Sequence, residues 1–172
     1  MATTLRANRR PASWSGGTVP AGLEENRLGE KDYLWLETGL RAIGLFAELT
    51  LKNLATILPY IRLYRCPKGT LICREGDPGD RIYLIYKGKV DVLKATGIFE
   101  GTPFKLATLS SGKFFGEMSL LFRQPRAASC VAKAESLLFS LSFEDFERVV
   151  HKHKEILQHL RRVAVSRMKG GH

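Results

Sequence analysis

Residues 76–90 read GDPGDRIYLIYKGKV, which is a turn rich in glycine and proline, an apolar run and a second turn. The run over residues 81–86 consists mainly of β-branched, leucine and aromatic side chains, and Lys87-Gly88 separates it from a similar run over residues 89–94. Short runs of this composition between glycine turns are typical of β-strands. The stretch therefore predicts two consecutive strands joined by a tight turn.

Runs of the same kind, with a period of two, lie on both sides of this stretch. We predict five further strands over residues 60–66, 70–73, 104–109, 128–132 and 137–141. The turn clusters PKG, ATGIFEGTP and SSG separate several of them. Many short strands at regular spacing are typical of an all-β sandwich or barrel, and a jelly roll fits this pattern.

Helical patterns flank the predicted β region. Apolar residues recur at helical spacing over residues 31–43, and Thr50 can cap a second amphipathic segment that ends at Leu58. After Ser142 the spacing becomes helical again, and a last stretch ends at the Gly170-Gly171 pair. The resulting organisation is a disordered arm over 1–28, N-terminal helices over 29–58, a β-roll over 59–142 and C-terminal helices over 143–172.

The composition limits the class of protein. The chain has 172 residues, with 27 lysines and arginines against 17 acidic residues, a net charge of +10. This length fits one domain with its own core. Apolar runs fall far short of the roughly 20 residues of a transmembrane helix, and no secretory signal opens the chain. We expect a cytoplasmic protein with no membrane span whose three cysteines are reduced thiols.

Residues 114–129, FFGEMSLLFRQPRAAS, interrupt the strand pattern and have the features of an anion site. Gly116 allows close approach of backbone to a ligand, and a helical turn starting at Glu117 presents N–H groups to a phosphate. Arg126 supplies a planar, charged fork for phosphate oxygens. A phosphate would repel Glu117, so its carboxylate suits a donor such as a sugar hydroxyl. Together these features indicate a nucleotide.

This segment resembles the phosphate-binding cassette of the cyclic nucleotide-binding domain family, which reads Phe-Gly-Glu-x-Ala/Ser-Leu, a short link, and then Pro-Arg-x-Ala. Residues 76–90 resemble a second signature of the same family, and the two motifs have the expected order and spacing. The resemblance covers about residues 45–168. It implies a β-roll with flanking helices that binds cAMP or cGMP as a signal, with no metal, no cofactor and no catalysis.

The resemblance also implies roles for individual residues. Glu117 would accept a hydrogen bond from the ribose 2′-hydroxyl, and Arg126 would pair with the cyclic phosphate. Ala127 follows that arginine, where relatives that prefer cGMP often carry threonine, so the resemblance implies a preference for cAMP or no strong preference. The implied nucleotide-binding residues are Gly116, Glu117, Met118, Ser119, Arg126, Ala127 and Ala128. Candidates for a lid over the base, on the last helix, are Leu157, Leu160, Arg161 and Val163.

The partners of such a sensor stay open. The final helix resembles that of cyclic nucleotide-regulated channels, so a parent channel or another effector protein would receive the signal. No DNA-binding helix-turn-helix is expected after this helix. Residues 9–13, RRPAS, resemble the inhibitor segment of cAMP-dependent kinase regulatory subunits, which offers a second hypothesis.

A third hypothesis is an interaction module that binds an acidic partner through the basic segment 151–172, whose net charge is +5. His151 and His153 in this segment point to different sides of a helix, so we expect no metal site there. The alternative to a nucleotide-binding role for Glu117 and Arg126 is a structural ion pair within a β-protein. The presence of Gly116 and of the second motif favours the functional interpretation.

Overall fold

The structure of the chain, a computed structural model, describes residues 19–42, 47, 49–95 and 102–170. The described residues form nine strands, and every pairing between them is antiparallel. The strands are β1 (Glu24–Asn26), β2 (Arg62–Cys66), β3 (Leu71–Cys73), β4 (Arg81–Lys87), β5 (Lys89–Lys94), β6 (Phe104–Ser110), β7 (Phe114–Phe115), β8 (Ser129–Ala132) and β9 (Ser136–Ser142).

The strands build two sheets that enclose a common apolar cluster. One sheet has the order β1-β2-β9-β4-β7, and the other has the order β3-β8-β5-β6. We call the shared cluster the roll interior: Cys66, Ile72, Tyr83, Ile85, Val90, Phe115, Cys130, Ala132 and Leu138. Because both sheets contribute side chains to it, the predicted mainly-β roll with flanking helices is confirmed.

Gly88 marks the point where the chain passes from one sheet to the other. Strand β4 belongs to the five-stranded sheet, while β5, two residues later, belongs to the four-stranded sheet. Gly88 has φ +98°, and a Cβ there would lie 2.2 Å from Oγ of Ser136 and 2.7 Å from the carbonyl oxygen of Glu135. Both the backbone angle and the close approach therefore require glycine.

Five helices and a 3₁₀ turn lie on the outer side of the five-stranded sheet. They are α1 (Glu30–Ala42), α2 (Leu51–Ile57), the 3₁₀ turn Leu58–Tyr60, α3 (Glu117–Phe122), α4 (Phe143–Lys152) and α5 (Lys154–Gly170). Apolar side chains from four of the helices meet strands β2, β4 and β9. We call this cluster the helix-side core: Leu36, Leu40, Leu49, Leu54, Ile57, Ile61, Leu63, Ile82, Leu84, Phe139, Leu141, Phe146, Val149, Val150, Ile156 and Leu160.

The helix boundaries follow the sequence signals closely. The side chain of Thr50 accepts a hydrogen bond from the Asn53 amide, which caps α2 as predicted. The first strand after Pro59 begins later than predicted, because Tyr60 still belongs to the 3₁₀ turn and β2 starts at Arg62. The predicted end of the first helix, Ile43, lies outside the described residues.

The expected disordered arm over residues 1–28 is wrong at its C-terminal end. Glu24–Asn26 form β1, which pairs with β2, and the flanking Leu23 and Leu28 pack against the two cores. All three residues of β1 are exposed, so the sequence has no alternating apolar pattern from which this strand could be predicted. Backbone pairing and the ion pair between Glu24 and Arg65 (3.2 Å) hold it instead. Residues 1–18 of the predicted arm lie outside the described residues.

Candidate functional site

Gly116 positions the turn between β7 and α3 in the segment 114–129. It adopts φ +88° immediately before the first residue of α3. A Cβ at this position would lie 2.4 Å from Nη1 of Arg126 and 2.9 Å from the carbonyl oxygen of Arg81. The glycine therefore does two things: it permits a left-handed turn, and it lets a guanidinium pack directly on the backbone.

Arg126 is the buried cation of this site, with 5% of the residue exposed. Its Nη2 donates to the carbonyl oxygen of Arg81 at 2.8 Å, and its Nη1 donates to the carbonyl oxygen of Gly116 at 3.4 Å. The carboxylate of Asp80 lies 3.7 Å from Nη2. A buried guanidinium is costly unless hydrogen-bonded. These contacts hold the planar group in one orientation against the turn at Gly116.

The loop before β4 forms the other wall of the site. The amide of Arg126 donates to the carbonyl oxygen of Asp77, and the amide of Gly76 donates to the carbonyl oxygen of Arg126, both at 2.8 Å. Gly79 faces the buried side chain of Ser119 so closely that a Cβ on it would lie 1.9 Å from Cβ of Ser119. The two sequence motifs thus meet in one unit of structure.

Asp80 and Arg81 complete the electrostatics of this unit. Arg81 is 3% exposed and donates to Oδ2 of Asp80 through Nε at 3.2 Å and through Nη2 at 3.1 Å. The same carboxylate faces Arg126, so one aspartate serves two buried arginines. The guanidinium of Arg126 therefore shares its carboxylate with Arg81, so its charge is only partly compensated by Asp80 and suits an anion.

The sequence predicts a turn at residues 76–80 and a strand from Arg81, but it does not reveal that these residues contact the segment 114–129. The backbone carbonyl of Arg81, the carboxylate of Asp80 and the close packing of Gly79 all contact the segment 114–129. The available signal was the second glycine of GDPGDR, because a turn alone would not need glycine at both positions.

The predicted nucleotide-binding residues lie close together around this turn. Glu117 is the first residue of α3; it is half-buried and so are Gly116 and Met118, while Ser119 is 2% exposed. In the segment just before β8, Ala127 is exposed and Ala128 is half-buried. The segment 116–119 and the segment 126–128 are joined through the contact between Arg126 and Gly116.

A charged group on β5 fixes the exposed side of the cassette. Nζ of Lys94 donates to the carbonyl oxygen of Ala127 at 2.7 Å and lies 2.6 Å from the carboxylate of Glu75. The amide of Ala95 also donates to that carboxylate, and the pKa of Glu75 is lowered by this bond first and by Lys94 second. The cassette is therefore tied to both sheets of the roll.

Arg123 contacts helix α4 through its side chain. Its φ is +53°, it ends α3, and its guanidinium lies 4.8 Å from the ring centre of Phe143 and contacts the carboxylate of Glu147. Both contacts are on α4. The left-handed backbone at Arg123 turns the side chain towards that helix.

The candidate lid residues fall into different surroundings. Leu160 is 1% exposed in the helix-side core, so in this structure it packs the helices together rather than facing the cassette. Leu157 and Arg161 line a cavity of about 370 Å³ between α3, α4 and α5, together with Phe122 and Arg123. The side chain of Val163 lies outside the described residues. Helix α5 therefore reaches the C-terminal end of α3 through Leu157 and Arg161.

The comparison with protein families agrees with this geometry. A sequence profile described as "Cyclic nucleotide-binding domain" matches residues 64–153, a range that contains both motifs. The chain belongs to the cyclic nucleotide-binding domain family. The matched range begins inside β2 and ends at the junction of α4 and α5, so it spans the whole roll from β3 to β9.

Members of this family that resemble the chain include regulators of two kinds. The chain is 33% identical to a cyclic nucleotide-gated potassium channel of Rhizobium etli, over 92% of the chain and 42% of the channel. It is 34% identical to a cAMP-dependent protein kinase regulatory subunit of Pyricularia oryzae, over 75% of the chain and 32% of that protein. The chain thus spans less than half the length of these two relatives.

A solved structure supports the fold assignment. A cyclic nucleotide-binding domain from Methylobacillus flagellatus superposes with a TM-score of 0.69 and 26% identity, covering 87% of this chain and 85% of that one. These three proteins are a channel, a kinase regulatory subunit and a cyclic nucleotide-binding domain rather than enzymes. Within the described part of the chain, no helix has both the length and the apolar character needed to span a membrane.

Proposed function

We propose that the chain is a sensor that binds a cyclic nucleotide, with a preference for cAMP over cGMP, at the cassette formed by residues 114–129. The buried guanidinium of Arg126, held against the turn at Gly116 and the carbonyl of Arg81, carries this proposal. A guanidinium held in this way is oriented before the ligand arrives, which reduces the entropic cost of binding.

Each proposed contact uses a group whose place is described above. Arg126 pairs with the cyclic phosphate, and its contact with the shared carboxylate of Asp80, at 3.7 Å, is long enough for a ligand anion to replace. Glu117 accepts a hydrogen bond from the ribose 2′-hydroxyl. The backbone around Gly116, Met118, Ser119, Ala127 and Ala128 completes the cradle.

The preference for cAMP rests on the residue after Arg126. Ala127 is exposed, and its methyl group has no hydroxyl with which to bind the guanine amino group. Its carbonyl oxygen already accepts from Lys94. The relative from Pyricularia oryzae is named as cAMP-dependent, which is consistent with this choice.

The C-terminal helices are the proposed moving part. Helix α5 contacts both α3 and α4, and the cavity lined by Leu157 and Arg161 separates them near Phe122. A nucleotide that draws α3 closer to the roll changes the support for α5, so binding biases the position of that helix. We propose that an effector protein, such as a channel on the cytoplasmic side of a membrane, receives this change.

Calorimetric titration with cAMP and with cGMP tests the proposal. We expect wild type to bind cAMP more tightly than cGMP. Arg126→Ala should weaken binding by about 100-fold, because charge-assisted hydrogen bonds contribute roughly 1.5–3 kcal/mol each. Glu117→Ala should weaken it by about 10-fold on the same scale.

Two further variants distinguish a binding defect from a folding defect. Arg126→Lys keeps the charge and loses the planar fork, so we expect intermediate affinity. Arg123→Ala removes an arginine of the same segment that points to α4, and its affinity should stay within about twofold of wild type. If wild type gives neither heat nor a thermal shift at millimolar nucleotide, the proposal is wrong.

A further inference from the structure

Cys73 and Cys130 lie opposite each other on neighbouring antiparallel strands. They are register partners in the pairing of β3 with β8, and a bulge between Leu71 and Cys73 precedes the pair. Directly opposed residues of an antiparallel pair have Cα atoms about 4.5–5.5 Å apart, which is within the range of a disulfide. The register of the two strands is therefore compatible with a disulfide between the two cysteines.

The bulge brings both thiols to the same side of the sheet. Ile72 is in the roll interior, and Cys73 packs against the same cluster although it is the next residue. Cys130 belongs to that cluster and is 5% exposed. The thiol of Cys73 donates at 3.9 Å to the carbonyl oxygen of Ala128, which is two residues before Cys130. Both cysteines are free thiols.

The two thiols differ in reactivity. The neighbouring thiol of Cys130 lowers the pKa of Cys73, burial opposes this effect, and the positive charge of Arg126 lowers the pKa further. The neighbouring thiol of Cys73 and burial raise the pKa of Cys130. Cys73 is also the more accessible of the two, being half-buried. A more acidic, accessible thiol beside a buried one is the arrangement of an attacking cysteine and a resolving cysteine.

We propose that Cys73 and Cys130 are a peroxide-responsive dithiol that closes a disulfide beneath the nucleotide cassette, and that bound nucleotide slows this closure. The disulfide stands on the strand geometry alone, whereas its coupling to nucleotide rests on the proposed function. In a reducing compartment such a disulfide is transient, as expected of a redox sensor.

The chemistry balances with hydrogen peroxide as the oxidant. The thiolate of Cys73 attacks one peroxide oxygen, the O–O bond breaks, and the departing hydroxide takes a proton to form water. The sulfenic acid on Cys73 is then attacked by the sulfur of Cys130, the S–S bond forms, and a second water leaves. Two thiols are oxidised, one peroxide is reduced, and the protein loses two hydrogens.

The coupling to nucleotide follows from the shared cation. Cys73 lies against the segment that contains Arg126: its Sγ contacts the carbonyl of Ala128, two residues after Arg126. The amide of Gly76, three residues after Cys73, donates to the carbonyl of Arg126. The charge of Arg126 favours the thiolate of Cys73, and the same guanidinium is the proposed partner of the cyclic phosphate. Because a phosphate on Arg126 offsets that positive charge, the thiolate fraction of Cys73 falls when nucleotide binds. The linkage is reciprocal, so ionised Cys73 must also weaken nucleotide binding.

Oxidation of the full chain with hydrogen peroxide, followed by intact mass and peptide mapping, tests the disulfide. We expect wild type to lose the mass of two hydrogens, to yield a peptide that links Cys73 to Cys130, and to recover with a thiol reductant. Cys66 lies in β2, is 0% exposed and has a pKa raised by burial, so Cys66→Ser should oxidise like wild type.

The single variants separate the two roles. In Cys130→Ser, oxidation should stop at a sulfenic acid on Cys73 that dimedone traps. Cys73→Ser should form neither this sulfenic acid nor the disulfide. A linked peptide that contains Cys66, or no linked peptide in folded wild type, would overturn the proposal.

The coupling is measured as the rate of oxidation with and without cAMP. We expect saturating cAMP to slow the loss of thiol in wild type about threefold or more and to leave Arg126→Ala unaffected. Calorimetry on the same wild-type sample reports whether cAMP is bound. An unchanged rate with cAMP bound refutes the coupling, whereas absence of binding refutes the proposed function and leaves the disulfide result in place.

Discussion

The cassette and the helix-side core both contact strand β4, but different forces hold them. Ile82 and Leu84 of β4 are buried among apolar helix side chains, where area removed from water stabilises the fold. At the start of the same strand, the carbonyl of Arg81 accepts from a buried guanidinium, and one carboxylate serves two arginines. The apolar side is optimised for folding, whereas the polar side keeps charge that a ligand can use.

This difference predicts that substitutions on the two sides of β4 separate stability from binding. A change in the helix-side core should lower the free energy of unfolding and leave the affinity of the folded protein nearly unchanged. A change in the cassette should lower the affinity for cAMP and leave the free energy of unfolding nearly unchanged, except where the cassette is packed as tightly as a core.

Phe139→Ala should have the largest effect on stability. Phe139 is 1% exposed, and its ring stacks on Tyr86 at 5.0 Å and on Trp35 at 5.7 Å. Removing the ring should cost roughly 3–5 kcal/mol of unfolding free energy in a urea titration. The affinity for cAMP, measured where the variant is still folded, should stay within about twofold of wild type. A large loss of affinity without loss of stability would break the distinction between the two regions.

Gly79→Ala tests the place where the cassette is packed like a core. The new Cβ would overlap the side chain of Ser119, so we expect a loss of about 1–3 kcal/mol together with weaker cAMP binding. Adding Ser119→Gly removes the Cβ and Oγ atoms that the new methyl group would meet, so the double variant should recover much of the stability and much of the cAMP affinity. The matched control is Gly29→Ala, where the nearest atom is Oδ2 of Asp32 at an ordinary 3.5 Å. Failure of the double variant to recover would show that Gly79 acts through something other than this contact.

The sequence predicted the parts of the site that depend on side-chain chemistry and glycine geometry. The structure brings Arg126 against Gly116 and places Glu117 at the start of α3, as the residue types in the motif predict. The acceptor on Arg81 is a backbone carbonyl, which every residue carries, so no pattern could reveal it. Helical spacing shows that the face with Leu160 is apolar, but not which surface covers it, so the sequence alone does not separate helix packing from a lid role. Strand β1 was missed because its backbone, not its side chains, holds it in place.

Asp80→Asn should change stability and binding in opposite directions. The substitution weakens the pair with Arg81, so the free energy of unfolding should fall by about 0.5–1 kcal/mol, as for a partly exposed ion pair. It also removes the anion that faces Arg126, so cAMP affinity should rise by about two- to fivefold, which corresponds to the same free-energy difference of about 0.5–1 kcal/mol. Calorimetry and urea unfolding on the same preparation check both signs. A fall in affinity would mean that Asp80 orients Arg126 rather than competing with the ligand.

Asp145→Asn should give the smallest effect, and it depends on pH. Burial raises the pKa of Asp145 above its ordinary value of 3.8, despite the hydrogen bond from Ser142 at the start of α4. The folded state therefore holds the proton of the Asp145 carboxyl more tightly than the unfolded state does. The resulting stabilisation of the fold is complete below pH 3.8 and is lost as the pH rises through the raised pKa. The variant should therefore be slightly more stable than wild type at neutral pH, and the gain should vanish near pH 3. Thermal unfolding across this range measures the difference, and a variant less stable at neutral pH would contradict it.

The central claim is that Arg126 meets the cyclic phosphate in a site prepared by Gly116 and Arg81. A crystal structure of the chain with cAMP tests this most directly. We expect phosphate oxygens within hydrogen-bonding distance of the Arg126 guanidinium and the ribose 2′-hydroxyl on the Glu117 carboxylate, with the bond from Arg126 to the Gly116 carbonyl kept or replaced by phosphate. A nucleotide bound elsewhere, with the contacts of Arg126 unchanged, would contradict the account.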